Sequence, residues 1–208
     1  MDQDSLLVEI LEDAQRRGFL GPEPVVHHLD HSRALADAIG DYQDDFLDLG
    51  SGAGVPGLAL ALAWPQAHGV LLDSQQRRCS FLEGAVERLR LLDRLEVVCG
   101  RAEELARRPD LRGRFDLVVA RAFGRPAVTA ECSVGFLRGG GWLVVTEPPE
   151  GTSDLPERWP DDAVRRLGYE PATSLRSGTT GAVVLVTVGN VDERWPRRVG
   201  RPTKSPLW

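Results

Sequence analysis

The run Asp48-Leu49-Gly50-Ser51-Gly52-Ala53-Gly54-Val55-Pro56-Gly57 carries the clearest chemical signal in the 208 residues. Glycines are required where a backbone must turn sharply and let a ligand approach without meeting a Cβ. Here they leave an apolar run, Phe46-Leu47-Asp48-Leu49, and enter a helical stretch, the place where α/β sheets bind nucleotides. Gly52 to Gly57 alone satisfies the GxGxxG spacing of a dinucleotide site. Asp48 argues for another ligand: a pyrophosphate gains nothing from a carboxylate at that position, whereas a cationic amino group does. Pro56 also falls where dinucleotide loops have an ordinary helix start. Asp73, 23 residues after Gly50, ends the next apolar run, where a carboxylate can accept both hydroxyls of an adenosine ribose. One acid for an amino group and one for a ribose describe S-adenosylmethionine (AdoMet) better than NAD.

The elements that must hold these residues are short apolar runs alternating with amphipathic stretches. The runs are Phe46–Leu49, Val70–Asp73, Leu95–Val98, Phe115–Val119, Trp142–Val145 and Ala182–Val188. Between the first five lie segments of helical composition, such as Arg77–Leu92, so those strands are parallel and covered on both faces. The last run follows Gly178-Thr179-Thr180-Gly181, too short for a helix, and reads as an antiparallel strand of a terminal hairpin. Two helices precede the first strand. One is capped at Ser5 and runs to Arg17; the other runs from about Leu29 to Ile39 and ends at Gly40. Residues 148–160, rich in proline, read as an exposed loop. The expected architecture is a mostly parallel α/β sheet with an antiparallel C-terminal strand. It has a helical extension at 1–44, a cofactor-binding domain at 45–190 and a basic tail at 191–208.

Composition excludes several classes. No apolar run reaches the roughly 18–20 residues of a membrane span, and Met1-Asp2-Gln3-Asp4 is acidic where a secretory signal would be basic. Cys79, Cys99 and Cys132 are odd in number, widely spaced and without a CxxC, which argues against a disulfide framework and a zinc ribbon. His27 and His31 have no further ligands in reach by sequence, so no metal is expected. A cytoplasmic protein is expected. The net charge of −6 does not advertise a polyanion partner. Its distribution is uneven, however: residues 1–50 hold twelve acids against three arginines, while Arg194, Arg197, Arg198, Arg201 and Lys204 close the chain without an acid.

Taken together, Asp48–Gly57, Leu71-Leu72-Asp73-Ser74, Arg77-Arg78, Phe81-Leu82, Arg101-Ala102-Glu103-Glu104, Arg121-Ala122-Phe123 and the tail from Trp195-Pro196-Arg197-Arg198 to Pro206-Leu207 resemble the glucose-inhibited division protein B family. His27-His28-Leu29-Asp30 resembles its short N-terminal signature. The likeness covers about residues 25–208. It implies a class I methyltransferase with a Rossmann-like sheet that modifies a guanine N7 of 16S ribosomal RNA, bound as RNA or as the small subunit, by a monomer. It further implies that Gly50 and Val55 line the cofactor, that Ser51, Gly52 and Gly54 shape the loop, and that Asp73 takes the ribose. Ala102 and Glu103 would lie beside the adenine, and Arg121 would reach the methionine moiety or the target side. Two features depart from the family: the Trp-Asn and Asn-Leu-Thr elements of a longer N-terminal section are absent from this sequence, and Glu147 stands where a lysine–glycine pair is common. An acid at that edge works against a phosphate-rich substrate.

Methyl transfer to N7 uses a free lone pair and releases no proton, so no general base is expected and no catalytic residue is assigned. Arg121-Ala122-Phe123-Gly124 agrees by omission, lacking the Asn/Asp-Pro-Pro-aromatic motif of exocyclic amine methylation. Phe123 is placed to stack on a target base or to pack in the core. Arg197, Arg198, Arg201 and Lys204, interleaved with Trp195 and prolines, read as an extended arm for RNA phosphates. Three other readings stay open: an AdoMet enzyme acting on a small molecule or a protein, a non-catalytic RNA- or ribosome-binding relative, and an NAD oxidoreductase.

Overall fold

The computed structural model describes residues 2–147, 155–177 and 180–208. It begins with helix α1, Gln3–Arg16, whose first turn is closed by Asp2: its carboxylate accepts the Ser5 N–H at 2.8 Å. The cap is therefore Asp2, not Ser5, because a cap must precede the N–H that it satisfies. Helix α2, Val25–Ile39, starts directly after Pro24, earlier than apolar spacing indicated, and Gly40 ends it with φ of +88°. Alternation then follows: β1 Asp45–Leu49, α3 Gly57–Ala63, β2 His68–Asp73, α4 Gln76–Arg88, β3 Leu95–Cys99, α5 Ala102–Leu105, β4 Phe115–Ala120, α6 Pro126–Val134 and β5 Leu137–Glu147. After these come α7 Leu155–Arg158, α8 Asp161–Leu167, β6 Thr173–Ser177, β7 Thr180–Val186 and α9 Arg201–Lys204.

The seven strands form one sheet in the order β3-β2-β1-β4-β5-β7-β6. The first five are parallel, and β7 lies antiparallel between β5 and β6. Strand residues alternate between two cores, as a pleat with both faces covered requires. Phe46, Leu71, Leu117 and Val144 face one core together with α1–α4, whereas Leu47, Leu72, Val118 and Leu143 face the other with α5, α6 and α8. Leu7, Ile10 and Leu11 of α1 and Leu29 and Leu35 of α2 belong to the first core, so the N-terminal segment packs onto the sheet. The order of strand succession reverses between the parallel neighbours β1 and β4, the topological switch point of such sheets. The register pairs Leu49 with Leu72 and Asp48 with Val119, which gathers Gly50, Asp73 and Arg121 at one edge.

Three expectations are corrected. Cys79 of α4 and Cys99 of β3 form a disulfide, because Asp73 and Cys99 are register partners and α4 turns back over that strand end. Of the stretch 148–160 expected as an exposed loop, 148–154 lie outside the described residues. The remainder forms α7 and buries Trp159, whose indole N–H donates to Glu147 at 2.9 Å. The C-terminal segment is not an extended arm. It is folded against the second core, with Trp195 buried and the Trp208 indole donating to the Arg158 carbonyl.

Candidate active site

The glycine loop leaves β1 and enters α3, held from below and from the side. Gly50 and Ser51 donate their N–H groups to the Leu72 carbonyl at 2.8 and 2.9 Å, and Gly54 donates to Ser51. Asp48, 1% exposed, accepts the Gly57 N–H at 3.0 Å and so pins the start of α3. Burial pushes its carboxyl up to about 7, against the pull of bonds from Ser51 and Gly57. Asp48 lines neither of the cavities described next. What the geometry gives Asp48 is a brace beneath the loop, through its bond to Gly57. Gly50 has φ of +78°, and a Cβ there would stand 2.6 Å from the Phe123 ring, which fixes glycine at this position on two counts.

Two adjoining cavities open at the carboxyl ends of the strands. The first, about 210 Å³, is lined by Gly50, Asp73, Ser74, Ala102, Glu103 and Thr203 among others. Asp73 is buried. Its Oδ2 accepts the Gly52 N–H at 2.9 Å and lies 3.7 Å from Arg78, and its Oδ1 accepts the Gln75 N–H. Glu103 is 3% exposed, and its Oε1 accepts both Arg101 and the Gly200 N–H at 2.9 Å. Burial pushes its carboxyl up, but these bonds outweigh it and hold it below the usual range, so Glu103 is ionised at neutral pH.

The second cavity, about 290 Å³, is lined by Phe19, His28, Gly52, Val55 and Arg121 among others, and shares Gly50, Arg78 and Ala122 with the first. Ala122 has φ of +52°, rare for a residue with a Cβ. The bend there follows Arg121, which lines the second cavity, and precedes Phe123, which lines the first. Arg121 donates to His28 Nδ1 at 2.5 Å. Burial first, and then the Arg121 charge, lower the His28 pKa and favour the neutral ring. The sequence reading placed His28 only in the family's N-terminal signature and gave no site role to it, to Ala122 or to Thr203. His28 sits on α2, and nothing local in sequence announces that α2 reaches the sheet edge. Gly54 lines neither cavity; its Cβ-free backbone makes room for Leu58.

The family described as rRNA small subunit methyltransferase G, the glucose-inhibited division protein B group, matches residues 21–151. A protein of that name from Lachnoclostridium phytofermentans is 36% identical, covering 79% of this chain and 69% of its own. The chain belongs to this family. Another member, from Pelotomaculum thermopropionicum, is 31% identical across 98% of this chain and 87% of its own. Among solved structures, an O-methyltransferase from Bacillus cereus in complex with SAH superimposes with a TM-score of 0.60 at 18% identity, covering 90% and 92% of the two chains. That likeness bears on the fold alone, a class I, Rossmann-like methyltransferase sheet with an antiparallel strand at its C-terminal side.

Two features read as departures or as substrate contacts take a definite place in this family member. Glu147, buried at the end of β5, is paired with Arg158 at 2.7 Å and bonded by Trp159. The acid is thereby matched by a cation from α7 and does not stand as a bare negative charge at the sheet edge. Phe123, Glu147, Arg158 and Trp159 line a further cavity of about 140 Å³. Arg197 is engaged internally: its guanidinium grips the fully buried Glu131 at 2.7 and 2.6 Å. Arg198, Arg201 and Lys204 are exposed and line a groove on the outer face of the tail. Among the described residues, no group of three or more His, Cys, Asp or Glu could hold a metal ion. No described helix is long and apolar enough to cross a membrane.

Proposed function

We propose that this chain is an AdoMet-dependent methyltransferase of 16S ribosomal RNA that modifies a guanine at N7, working as a monomer in the cytoplasm. The observation that carries it is the pair of cavities meeting at Gly50 and Ala122 in a chain of this family. Their donor set fits AdoMet. Asp73 suits the ribose hydroxyls, Ala102 and Glu103 flank the adenine, and the carbonyl- and N–H-rich loop at Gly50–Gly52 with Val55 and Arg121 suits the amino-acid end. When bound, AdoMet supplies an activated methyl carbon.

The rest of the chemistry is positioning. Guanine N7 releases no proton, so the site needs no base of matched pKa. Phe123, at the mouth between the first cavity and the one beside Glu147, offers a face for the target base. Arg198, Arg201 and Lys204 hold phosphates of the RNA. Helices α1 and α2, which carry Asp4, Glu9, Glu12, Asp13, Asp30 and Asp37, pack on the first core, whereas the tail packs on the second.

The test is transfer of a radiolabelled methyl group from AdoMet to small ribosomal subunits lacking the N7 mark. Label at a guanine of 16S RNA is expected, with none in Gly52→Arg, which fills the crevice. Transfer to no RNA, with AdoMet still bound, would move the assignment to a small-molecule or protein substrate.

A further inference from the structure

The C-terminal segment has two working faces. Its inner face closes the adenosine cavity: Thr203 of α9 lines it, and Gly200 donates to Glu103 at 2.9 Å. Its outer face, with Arg107 from the turn after α5, forms a groove of about 570 Å³ lined by Arg107, Arg194, Arg197, Arg198, Arg201 and Lys204 together with Val199. Among the described residues no acid lines that groove, whereas the chain as a whole carries a net charge of −6. Arg201 and Lys204 flank Thr203 on one turn of helix, so whatever fixes Thr203 also fixes the two cations.

The segment is anchored at both ends. Arg107 donates to the Arg194 and Pro196 carbonyls, and Arg112 donates to Trp195 and Asp192. Arg197 joins Glu131 of α6 to the Ser205 carbonyl at 2.9 Å, closing residues 197–205 into a loop around one guanidinium. Within that loop Gly200 bonds a residue of the adenosine wall, and α9 carries cations of the groove. A group bound against Glu103 and Thr203 thus restrains the same nine residues that a phosphate backbone must find in place.

We propose that residues 197–205 are a strap that couples the two sites, so that adenosine of the cofactor orders the cations and RNA backbone in the groove tightens the cofactor. The proposal rests on the RNA reading above. Physically, the first ligand pays the ordering entropy of the strap and the second does not. Linkage then demands the same factor in both directions. The RNA partner follows from the groove: six cationic residues from two segments, five of them exposed, suit a run of phosphates.

Binding of unmarked small ribosomal subunits would be measured with and without saturating S-adenosylhomocysteine, and binding of S-adenosylhomocysteine with and without subunits, at one salt concentration. About a five- to tenfold gain is expected, equal in both directions, which is within the usual range of site-to-site coupling. In Arg197→Lys, which loses the bidentate fork but keeps the charge, the factor should fall to within about twofold of unity. A factor of one in the wild-type chain with both ligands bound would overturn the strap and leave the methyltransferase reading intact. So would a factor undiminished in Arg197→Lys. Should that variant not fold, amide exchange on the wild-type chain decides: slowing at 197–205 on S-adenosylhomocysteine binding is expected, and unchanged exchange overturns the proposal. Subunits that fail to bind at all, with S-adenosylhomocysteine bound normally, would overturn the RNA reading and the strap with it.

Discussion

Asp48, conspicuous in sequence as an acid just before the glycine loop, braces that loop in the fold. Its carboxylate is buried under the glycine loop, bonded to Gly57, with its pKa pushed up to about 7. A group whose folded pKa exceeds its unfolded value stabilises fully below the ordinary carboxylate range, and that contribution is lost as pH rises through about 7. Asp48→Asn keeps an acceptor for Gly57 and removes the titration. The variant should therefore lose less stability between pH 5 and pH 8 than the wild type, by on the order of 2 kcal/mol, in urea denaturation. Parallel pH profiles would show that the Asp48 carboxyl is already ionised at pH 5, its pKa not raised by burial. Gly50 is the second informative residue. Alanine there meets an unfavourable φ of +78° and a Phe123 ring 2.6 Å from its Cβ. Gly50→Ala is expected to weaken AdoMet binding about tenfold, or about 1.4 kcal/mol, by calorimetry, and an unchanged affinity would detach the loop from the cofactor.

At the scale of elements, α4 and the end of β3 are joined twice, by packing and by the Cys79–Cys99 disulfide. Cys79 lies six residues after Asp73, with its Sγ 3.3 Å from the Asp73 carbonyl, so the bridge closes the turn that presents Asp73 to the first cavity. Closing a loop of this length, with a separation of 20 residues, stabilises by about 3 kcal/mol through the unfolded chain. Reductant should lower the urea midpoint of the wild-type chain and leave that of Cys99→Ser unmoved. Equal midpoints with and without reductant would show that the thiols are not bridged in solution. The spacing of the cysteines in sequence gave no sign of this pairing. It arises from a parallel register, Asp73 opposite Cys99, that only the assembled sheet defines. The helical and strand segments themselves were legible, since each carries a buried face at the period of its element. Ends shifted where a neighbour intervened, as with β5, which extends back to Leu137 because Gly140 and Gly141 pair with Thr187.

For the molecule as a whole, charge is segregated by position in the fold. The cations of the tail gather on one face, and Arg107 joins them from a turn ninety residues earlier in the chain. Replacing Arg198, Arg201 and Lys204 together by alanine should weaken subunit binding and reduce the slope of log affinity against log salt by about 2, on the basis of about 0.7 per phosphate contact in single strands. An unchanged slope would place the RNA elsewhere. Removing residues 194–208 is a different operation, because Thr203 lines the first cavity and Gly200 bonds its wall residue Glu103. That truncation is expected to weaken AdoMet as well as RNA.

The sequence by itself determined the sheet class, the family, the glycine loop and Asp73, because these depend on local period and on residue types within one strand–turn–helix unit. Tertiary structure decided what depends on distant segments meeting. It put His28 beside Arg121 across 93 residues, Glu103 under Gly200 across 97, and Arg197 onto Glu131 across 66. A basic tail reads as a solvated arm in sequence because its charges are visible and its partners are not. Glu131 and Glu103, buried and requiring donors, turn that arm into a wall of the site.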